Sequence, residues 1–340
     1  MRRSWMSIGP VALVLAAAGC GEEAADPRQG GPVRAVTIAL DFQPNAVHAG
    51  IYATVRERLD RRRGLKLTLR APSASTDSLK LLTSGRADFS VVDIHDLGLA
   101  RERGQDLVGV GAIVQRPLAA VIARDPVRRP RDLEGRRVGV TGLPSDDAVL
   151  RAVVEADGGD FAKLRRTTIG FSAVPALVAK KVDAVVTFWS AEGVALKQRG
   201  VRTREFRVDE FGAPRYPELV LVAKRATMRR SAALVRDTVA ALAAGTRSAL
   251  ERPEASVRDI VRASGADEPL VRAQLAAVAP ALRPPLRLDR AQLARWARFD
   301  ARFGILRRAP DVGQTFPGYD ANSGGREEAL HESGHLTRHP

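Results

Sequence analysis

The chain has 340 residues, with 54 Lys and Arg against 39 Asp and Glu, so its formal net charge is +15. That length predicts two domains rather than one, and a hydrophobic content of 45% excludes global disorder. The single cysteine excludes an intramolecular disulfide framework and a cysteine-rich zinc module. No apolar run reaches the ~18 residues that span a bilayer, which excludes a multi-pass membrane protein.

The N-terminal residues have the pattern of an export signal. Two arginines precede a short apolar stretch over 11–18, and small residues lead up to Cys20. This arrangement resembles a bacterial lipoprotein signal, in which residues 1–19 are removed and Cys20 becomes the lipidated N-terminus. The alternative is an ordinary signal peptide with a chance cysteine. Residues 20–32 are polar and rich in Gly and Pro, which predicts a flexible tether that holds a folded body off a membrane.

The basic charge does not indicate nucleic-acid binding. Seven of the 54 basic residues are Lys and the rest are Arg, and they are spread along the chain rather than clustered. Aromatic residues make up 5% of the chain and do not interleave with the basic runs, as a stacking platform for single strands requires. Export also keeps the protein away from the genome. We therefore predict a solvated, Arg-rich surface and no nucleic-acid partner.

From residue 33 onward, short strands alternate with helices of about ten residues, which is typical of βαβ units and a mainly parallel sheet. A first unit occupies 33–123 and a second, of the same kind, occupies 124–217. A strand over 218–223 then returns to the first unit, and helices fill the chain up to 309. Predicted strands are 33–40, 65–70, 88–92, 107–114, 118–123, 137–140, 167–170, 182–187, 203–207 and 218–223. Predicted helices are 48–58, 75–84, 97–103, 130–133, 145–156, 174–180, 191–198, 232–250, 254–263, 268–279 and 290–303.

These elements predict an α/β fold of the type 2 periplasmic binding protein class, with two Rossmann-like lobes and C-terminal helices. The strands over 118–123 and 218–223 connect the lobes and are expected to act as hinges. A ligand is expected in the cleft outside the carboxyl ends of the strands. Residues 310–340 are polar and Gly-rich, and we expect this tail to be disordered from about Asn322.

An ordered set of segments resembles one family of solute-binding proteins. The segments are 40–45 with 48–52, 77–89, 115–118, 132–140, 146–150, 188–194 and 211–220. Each segment alone is weak, but their order is specific to the SsuA- and NMT1-like family of ABC-transporter solute-binding proteins, which includes binders of thiamine pyrimidine precursors. The resemblance covers roughly residues 35–305. It implies an exported, membrane-anchored, monomeric protein that closes on its ligand and docks on the transmembrane subunits of an ABC permease, with no cofactor.

The chemistry of an aminopyrimidine indicates which residue types would bind it. A carboxylate accepts from the exocyclic amine, and an aromatic ring stacks on the heterocycle. Asp41 follows a strand and Glu192 opens a helix after one, so both are expected in the cleft. Phe42 stands where the family more often has Trp. The predicted ligand-binding residues are Asp41, Phe42, Asn45, His48, Asp93, His95, Ser145, Asp146, Trp189, Glu192 and Tyr216.

Several of these residues have a second interpretation as local structure. Turn or helix-start roles suit Asn45 and His48 as well as ligand contact does. Asp93 and His95 follow a strand end and also fit as caps of the next helix. Ser145 and Asp146 stand where an N-cap and a first-turn acid are favoured. These alternatives stay open in the sequence.

Other functions are less well supported by the residues. Riboflavin-like heterocycles and small anions such as sulfonates or nitrate are the alternative ligands, and an anion site would need convergent Arg or Lys. A thiamine pyrimidine synthase-like enzyme would need a Schiff-base lysine, but the first helix carries 56–58 as Arg-Glu-Arg. The segment 331–335 matches the zinc-protease pattern HExxH but contains a glycine near the C-terminus, so we predict a chance match and no metal site.

Overall fold

The computed structural model describes residues 33–318. The predicted signal over 1–19, the lipidation site Cys20, the tether over 20–32 and the HExxH match lie outside these residues. Within residues 33–318, no helix is long and apolar enough to cross a membrane.

The first lobe is built on a five-stranded sheet. Its parallel strands are rich in Val, Leu and Ile, as expected for strands that are covered on both faces. The strand order is β2-β1-β3-β10-β4, and β10 runs antiparallel to both of its neighbours. The elements are β1 Arg34–Ala39, α1 Ala49–Arg56, β2 Leu65–Arg70, α2 Asp77–Thr83, β3 Phe89–Asp93, α3 Ile94–Glu102, β4 Leu107–Ala112 and β10 Leu219–Lys224.

The second lobe repeats this arrangement with its own five-stranded sheet. Here the order is β7-β6-β8-β5-β9, with β5 antiparallel to β8 and β9. A π-helical turn over Trp189–Gly193 follows β8 directly. The elements are β5 Ala119–Arg124, β6 Arg137–Val140, α4 Ser145–Ala156, β7 Arg165–Thr168, α5 Ala173–Val178, β8 Ala184–Phe188, α6 Val194–Gln198 and β9 Thr203–Arg207. The two α/β lobes agree with the predicted fold class.

The chain crosses between the lobes twice, and one predicted boundary is wrong. Strand β5 pairs with β8 and β9, so it belongs to the second sheet rather than to a first lobe ending at 123. The crossings are the irregular segments 113–118 and 211–218, which precede β5 and β10. Each predicted hinge strand is held in its own sheet by pairing with its neighbours. The irregular connecting segments lack such pairing, so they are the parts of the chain that can change conformation between the lobes.

C-terminal helices complete the first lobe on both faces of its sheet. One face packs with α1 and α8 and the other with α2, α3 and α11, giving two hydrophobic clusters. The helices are α7 Arg225–Arg230, α8 Ala232–Glu251, α9 Pro253–Ser264, α10 Glu268–Val278, α11 Arg290–Arg302 and α12 Val312–Thr315. Residues 310–318 of the expected loose tail are folded, because α12 forms and the buried Phe316 packs against Trp296. The rest of that tail, including the part expected to be disordered from about Asn322, lies outside the described residues.

Candidate functional site

A cavity of about 330 Å³ lies between the lobes. Its walls include residues at or just after the carboxyl ends of β1, β3, β6 and β8, where ligands bind in open α/β sheets. Six of the predicted ligand-binding residues lie on its wall: Asp41, Phe42, Asp93, Ser145, Asp146 and Glu192. The other five, which the cavity does not include, are Asn45, His48, His95, Trp189 and Tyr216.

Asn45 and His48 support Asp41 from behind the wall. The Asn45 side chain accepts from the Val47 N–H and so caps the turn. His48 Nδ1 accepts from the Asn45 N–H at 3.2 Å. Its Nε2 therefore carries the proton and donates to Asp41 Oδ1 at 2.9 Å. His48 is fully buried, so the predicted direct ligand contact is corrected to a role in orienting Asp41.

Trp189 also faces away from the cavity. Its indole N–H donates to the Pro117 carbonyl at 3.2 Å, and the Arg207 guanidinium lies 4.2 Å from its ring centroid. The preceding residue, Phe188, lies on the cavity wall instead. Successive residues at a strand end point to opposite sides. The expectation that Trp189 stacks on the ligand is therefore wrong, and the neighbouring Phe188 takes its place on the cavity wall.

His95 and Tyr216 belong to a buried cluster behind the site. His95 Nδ1 lies 2.7 Å from Asp300 Oδ1, and its Nε2 lies 3.0 Å from the Tyr216 hydroxyl. Burial opposes protonation of His95, but the Asp300 carboxylate, together with Asp93 and Glu218, outweighs it and raises the pKa of His95 to about 10. All three side chains are fully buried, so the expected ligand contacts of His95 and Tyr216 are corrected to a structural ion pair and its hydrogen-bonded neighbour.

Three phenylalanines provide the aromatic surface of the cavity. Phe42 of the first lobe meets Phe171 of the second edge-to-face, with ring centroids 4.4 Å apart. Phe188 lies on the same wall. Neither Phe171 nor Phe188 was predicted as a site residue, since Phe171 follows β7 in an irregular segment that no motif marks. Aromatic side chains from both lobes thus line the same cavity.

Acidic residues dominate the polar part of the wall. Burial raises the pKa of Asp146 to about 7 and that of Asp96 to about 6. Burial also raises the pKa of Asp93 well above its ordinary value, and the pKa of Glu192 in the same direction. Glu192 lies near enough to Asp41 for that charge to add to the shift. Burial therefore favours the protonated form of these acids, in which a carboxyl group donates a hydrogen bond as well as accepting one.

Glu218 joins the two crossings at the base of the cavity. It precedes β10, and its Oε2 accepts from the backbone N–H groups of Leu118 and Ala119 at 2.6 and 3.0 Å. Its carboxyl group also contacts Asp93, and burial raises its pKa. Neither Glu218 nor Asp96 was predicted, because a single acid beside an apolar strand carries no spacing signal. Within residues 33–318, no group of three or more His, Cys, Asp or Glu is arranged to hold a metal ion.

Two α/β lobes, two crossings and an interlobe cavity define this protein as a type 2 periplasmic binding protein. The match to a family model extends over residues 45–256, and the chain belongs to the NMT1/THI5-like family. This result confirms the resemblance predicted from the sequence.

Curated relatives of this chain include proteins that are named for pyrimidine binding and pyrimidine synthesis. The chain is 31% identical over 232 residues to a formylaminopyrimidine-binding protein of Halalkalibacterium halodurans, covering 67% of this chain and 70% of the relative. It is 21% identical over 178 residues to a 4-amino-5-hydroxymethyl-2-methylpyrimidine phosphate synthase of Legionella pneumophila, covering 52% of this chain and 56% of that protein. The chain is therefore a homologue of a pyrimidine-binding protein, with more distant relatives that are named as enzymes.

Solved structures confirm the fold. The periplasmic aliphatic sulphonate-binding protein of Escherichia coli superposes with a TM-score of 0.67 at 18% identity, over 83% of this chain and 97% of that one. At this identity the likeness concerns the fold alone.

Proposed function

We propose that this protein is the extracytoplasmic solute-binding component of an ABC importer, and that it captures an aminopyrimidine precursor of thiamine between its lobes. One observation carries the proposal. Asp41 and Glu192, from opposite lobes, lie on the wall of one cavity together with Phe42, Phe171 and Phe188. Curated relatives named for pyrimidine binding and pyrimidine synthesis support the same ligand class.

The two acids complement the edge of an aminopyrimidine. The exocyclic amine donates to Asp41, which the His48 N–H holds in a fixed orientation. Burial raises the pKa of Glu192, which favours the protonated carboxyl group that donates to the neighbouring ring nitrogen. The ligand thus donates a hydrogen bond to Asp41 and accepts one from Glu192, so its edge complements the two side chains. The phenylalanines stack on or against the edges of the heterocycle.

An anionic ligand fits the polar wall less well. Six acids line the cavity, against the two cations Lys80 and Arg103. The acids would repel the charge of a sulfonate or nitrate, and the two cations do not form the convergent Arg cluster that would offset this repulsion. Riboflavin is the remaining heterocyclic alternative. The enzyme alternative lacks its lysine, since Arg56 and Arg58 occupy that part of the first helix and its C-terminus.

Calorimetric titration of the purified chain with a formylaminopyrimidine tests the ligand class. We expect saturable binding that Glu192→Ala abolishes, whereas Glu155→Ala, at an exposed position of the same lobe, binds as the parent does. Methanesulfonate, which has no chain, serves as the anionic probe. Tighter binding of methanesulfonate than of the pyrimidine would reject the proposal. A stable Schiff-base absorption band after incubation with pyridoxal phosphate would favour the enzyme.

Capture by lobe closure and membrane anchoring are further parts of the proposal. Small-angle scattering should give a smaller radius of gyration at ligand saturation, and an unchanged radius would contradict closure. We propose lipidation at Cys20, a monomeric state and docking on permease subunits. In an expressing bacterium, the parent should partition into a detergent phase and Cys20→Ala should not.

A further inference from the structure

We propose that the cavity contains a second subsite, a side channel between α2 and α3, and that the ligand is an aminopyrimidine whose substituent is an apolar chain ending in an anionic group. This inference rests on the proposed function and deepens it. It concerns the part of the cavity beyond the acids Asp41 and Glu192, which no predicted site residue occupies.

The side channel is lined by one face of each helix. From α3 and its C-cap come Asp96, Leu99, Ala100 and Arg103, and from α2 and its N-cap come Thr76, Leu79, Lys80 and Thr83. Both sets follow the spacing i, i+3, i+4, i+7, which places four residues on one helical face. Seven residues of helix span about 10 Å. The channel is therefore long enough for a chain of several methylene groups.

The middle of the channel is apolar. Leu79 and Leu99 line it from the first lobe, and Leu143 and Val149 line it from the second. Three of them, Leu79, Leu99 and Leu143, remain partly exposed. Leucines on facing elements normally pack against one another, so partly exposed leucines around one cavity mark a surface that an apolar ligand group covers.

The two ends of the channel carry opposite charge. Acids surround the inner end, where Asp96 Oδ1 is buried and has no hydrogen-bond partner among residues 33–318. Arg103, the C-cap of α3, lies at the outer end, and Lys80 lies one turn before the end of α2, beside Leu79. Both are exposed on the cavity wall, and neither forms an ion pair with any residue in the described range. Gln105 lies beside them as a further donor. An elongated ligand with a hydrogen-bond donor at one end and a carboxylate or phosphate at the other matches this polarity.

Calorimetry with a graded ligand series tests the channel. The probes are an aminomethyl-aminopyrimidine acylated with a formyl, a hexanoyl or an adipoyl group, so that ring and amide stay constant. The hexanoyl chain adds apolar length, and the adipoyl chain adds the same length with a terminal carboxylate. We expect each step, first length and then charge, to strengthen binding, with a total gain of at least about tenfold.

Variants assign the gain to the channel. Leu99→Trp should reduce the affinity for the hexanoyl and adipoyl probes to that of the formyl probe, and leave the formyl probe unchanged. Lys80→Gln with Arg103→Gln should remove only the advantage of adipoyl over hexanoyl. Arg86→Gln, at an exposed position just after α2, is the control and should remove nothing.

Each outcome decides between the two proposals. Equal affinity for the three probes, or a chain-length gain that survives Leu99→Trp, would overturn the side channel and leave the proposed function intact. Failure of all three probes to bind the parent would overturn both. Circular dichroism of each variant separates a filled channel from a misfolded chain.

Discussion

Ser145 and Asp96 connect the two lobes directly: the Ser145 hydroxyl donates to Asp96 Oδ2 at 3.1 Å. Ser145 opens α4 in the second lobe, and Asp96 lies in the first turn of α3 in the first. Both side chains are buried on the cavity wall. A hydrogen bond that spans the cleft exists only while the lobes are together, so it contributes to the closed state alone.

Ser145→Ala should therefore weaken ligand binding by destabilising the closed state. Loss of one hydrogen bond to a buried acid costs on the order of 1 kcal/mol, or about fivefold in Kd. Calorimetric titration with a formylaminopyrimidine measures the change. The control is Ser172→Ala, because Ser172 is exposed in the same lobe and its side chain makes no capping hydrogen bond. Equal affinity of the Ser145 variant and the parent would mean that this contact does not bias closure.

Asp146 should make the protein more stable at acid pH than at neutral pH. Burial raises its pKa from 3.8 to about 7, so between about pH 4 and about pH 7 the folded chain holds a proton that the unfolded chain has lost. The free energy of unfolding contributed by this group therefore falls as pH rises through that window. Each unit by which the pKa of Asp146 is raised changes the free energy of unfolding by about 1.4 kcal/mol across this window.

Asp146→Asn tests this dependence, since Asn resembles the protonated acid. Its amide oxygen can still accept from the Thr141 hydroxyl and the Gly142 N–H, as Asp146 Oδ2 does. We expect the variant to gain stability relative to the parent as pH rises, by a few kcal/mol at most. Urea unfolding at a series of pH values measures it. The neighbouring Asp147→Asn, at an exposed position paired with Arg166, should leave the pH profile of the parent unchanged.

The sequence predicted the architecture better than the site. Alternating strands and helices identify both lobes because hydrophobic periodicity follows secondary structure. Strand pairing depends instead on distant segments, so β5 was assigned to the wrong lobe. Asp41, Ser145 and Asp146 could be placed on the cavity wall from the sequence because strand ends and helix starts mark a cleft.

Other site residues needed the tertiary structure. Phe171 acquires its role only by meeting Phe42 from the other lobe, and nothing local marks it. The direction of a side chain at a strand end depends on register, so Trp189 was chosen where Phe188 lines the cavity. His95 lies near the site in sequence, but α11 supplies Asp300 from 205 residues away and draws it into the core.

The buried pair of His95 and Asp300 should be costly to break on one side. Asp300→Leu leaves the His95 imidazolium without its counter-ion, and breaking a buried pair in this way costs about 3–5 kcal/mol. Adding His95→Phe removes the stranded charge, so the double variant should be more stable than the single one. Urea unfolding at neutral pH compares the two. Losses that simply add would contradict an ion pair at this place.

Gly245 allows α8 to approach α1 closely. A Cβ at this position would clash with the Thr54 hydroxyl and with the backbone carbonyl of Gly50, which cannot move aside as a flexible side chain does. Gly245→Ala should therefore destabilise the first lobe by about 1–3 kcal/mol through overpacking, although Ala is favoured over Gly in a helix by about 1 kcal/mol. Ala233→Gly, at an exposed position of α8, measures that propensity separately. A higher urea midpoint for Gly245→Ala than for the parent would contradict this close approach of α8 to α1 at Gly50.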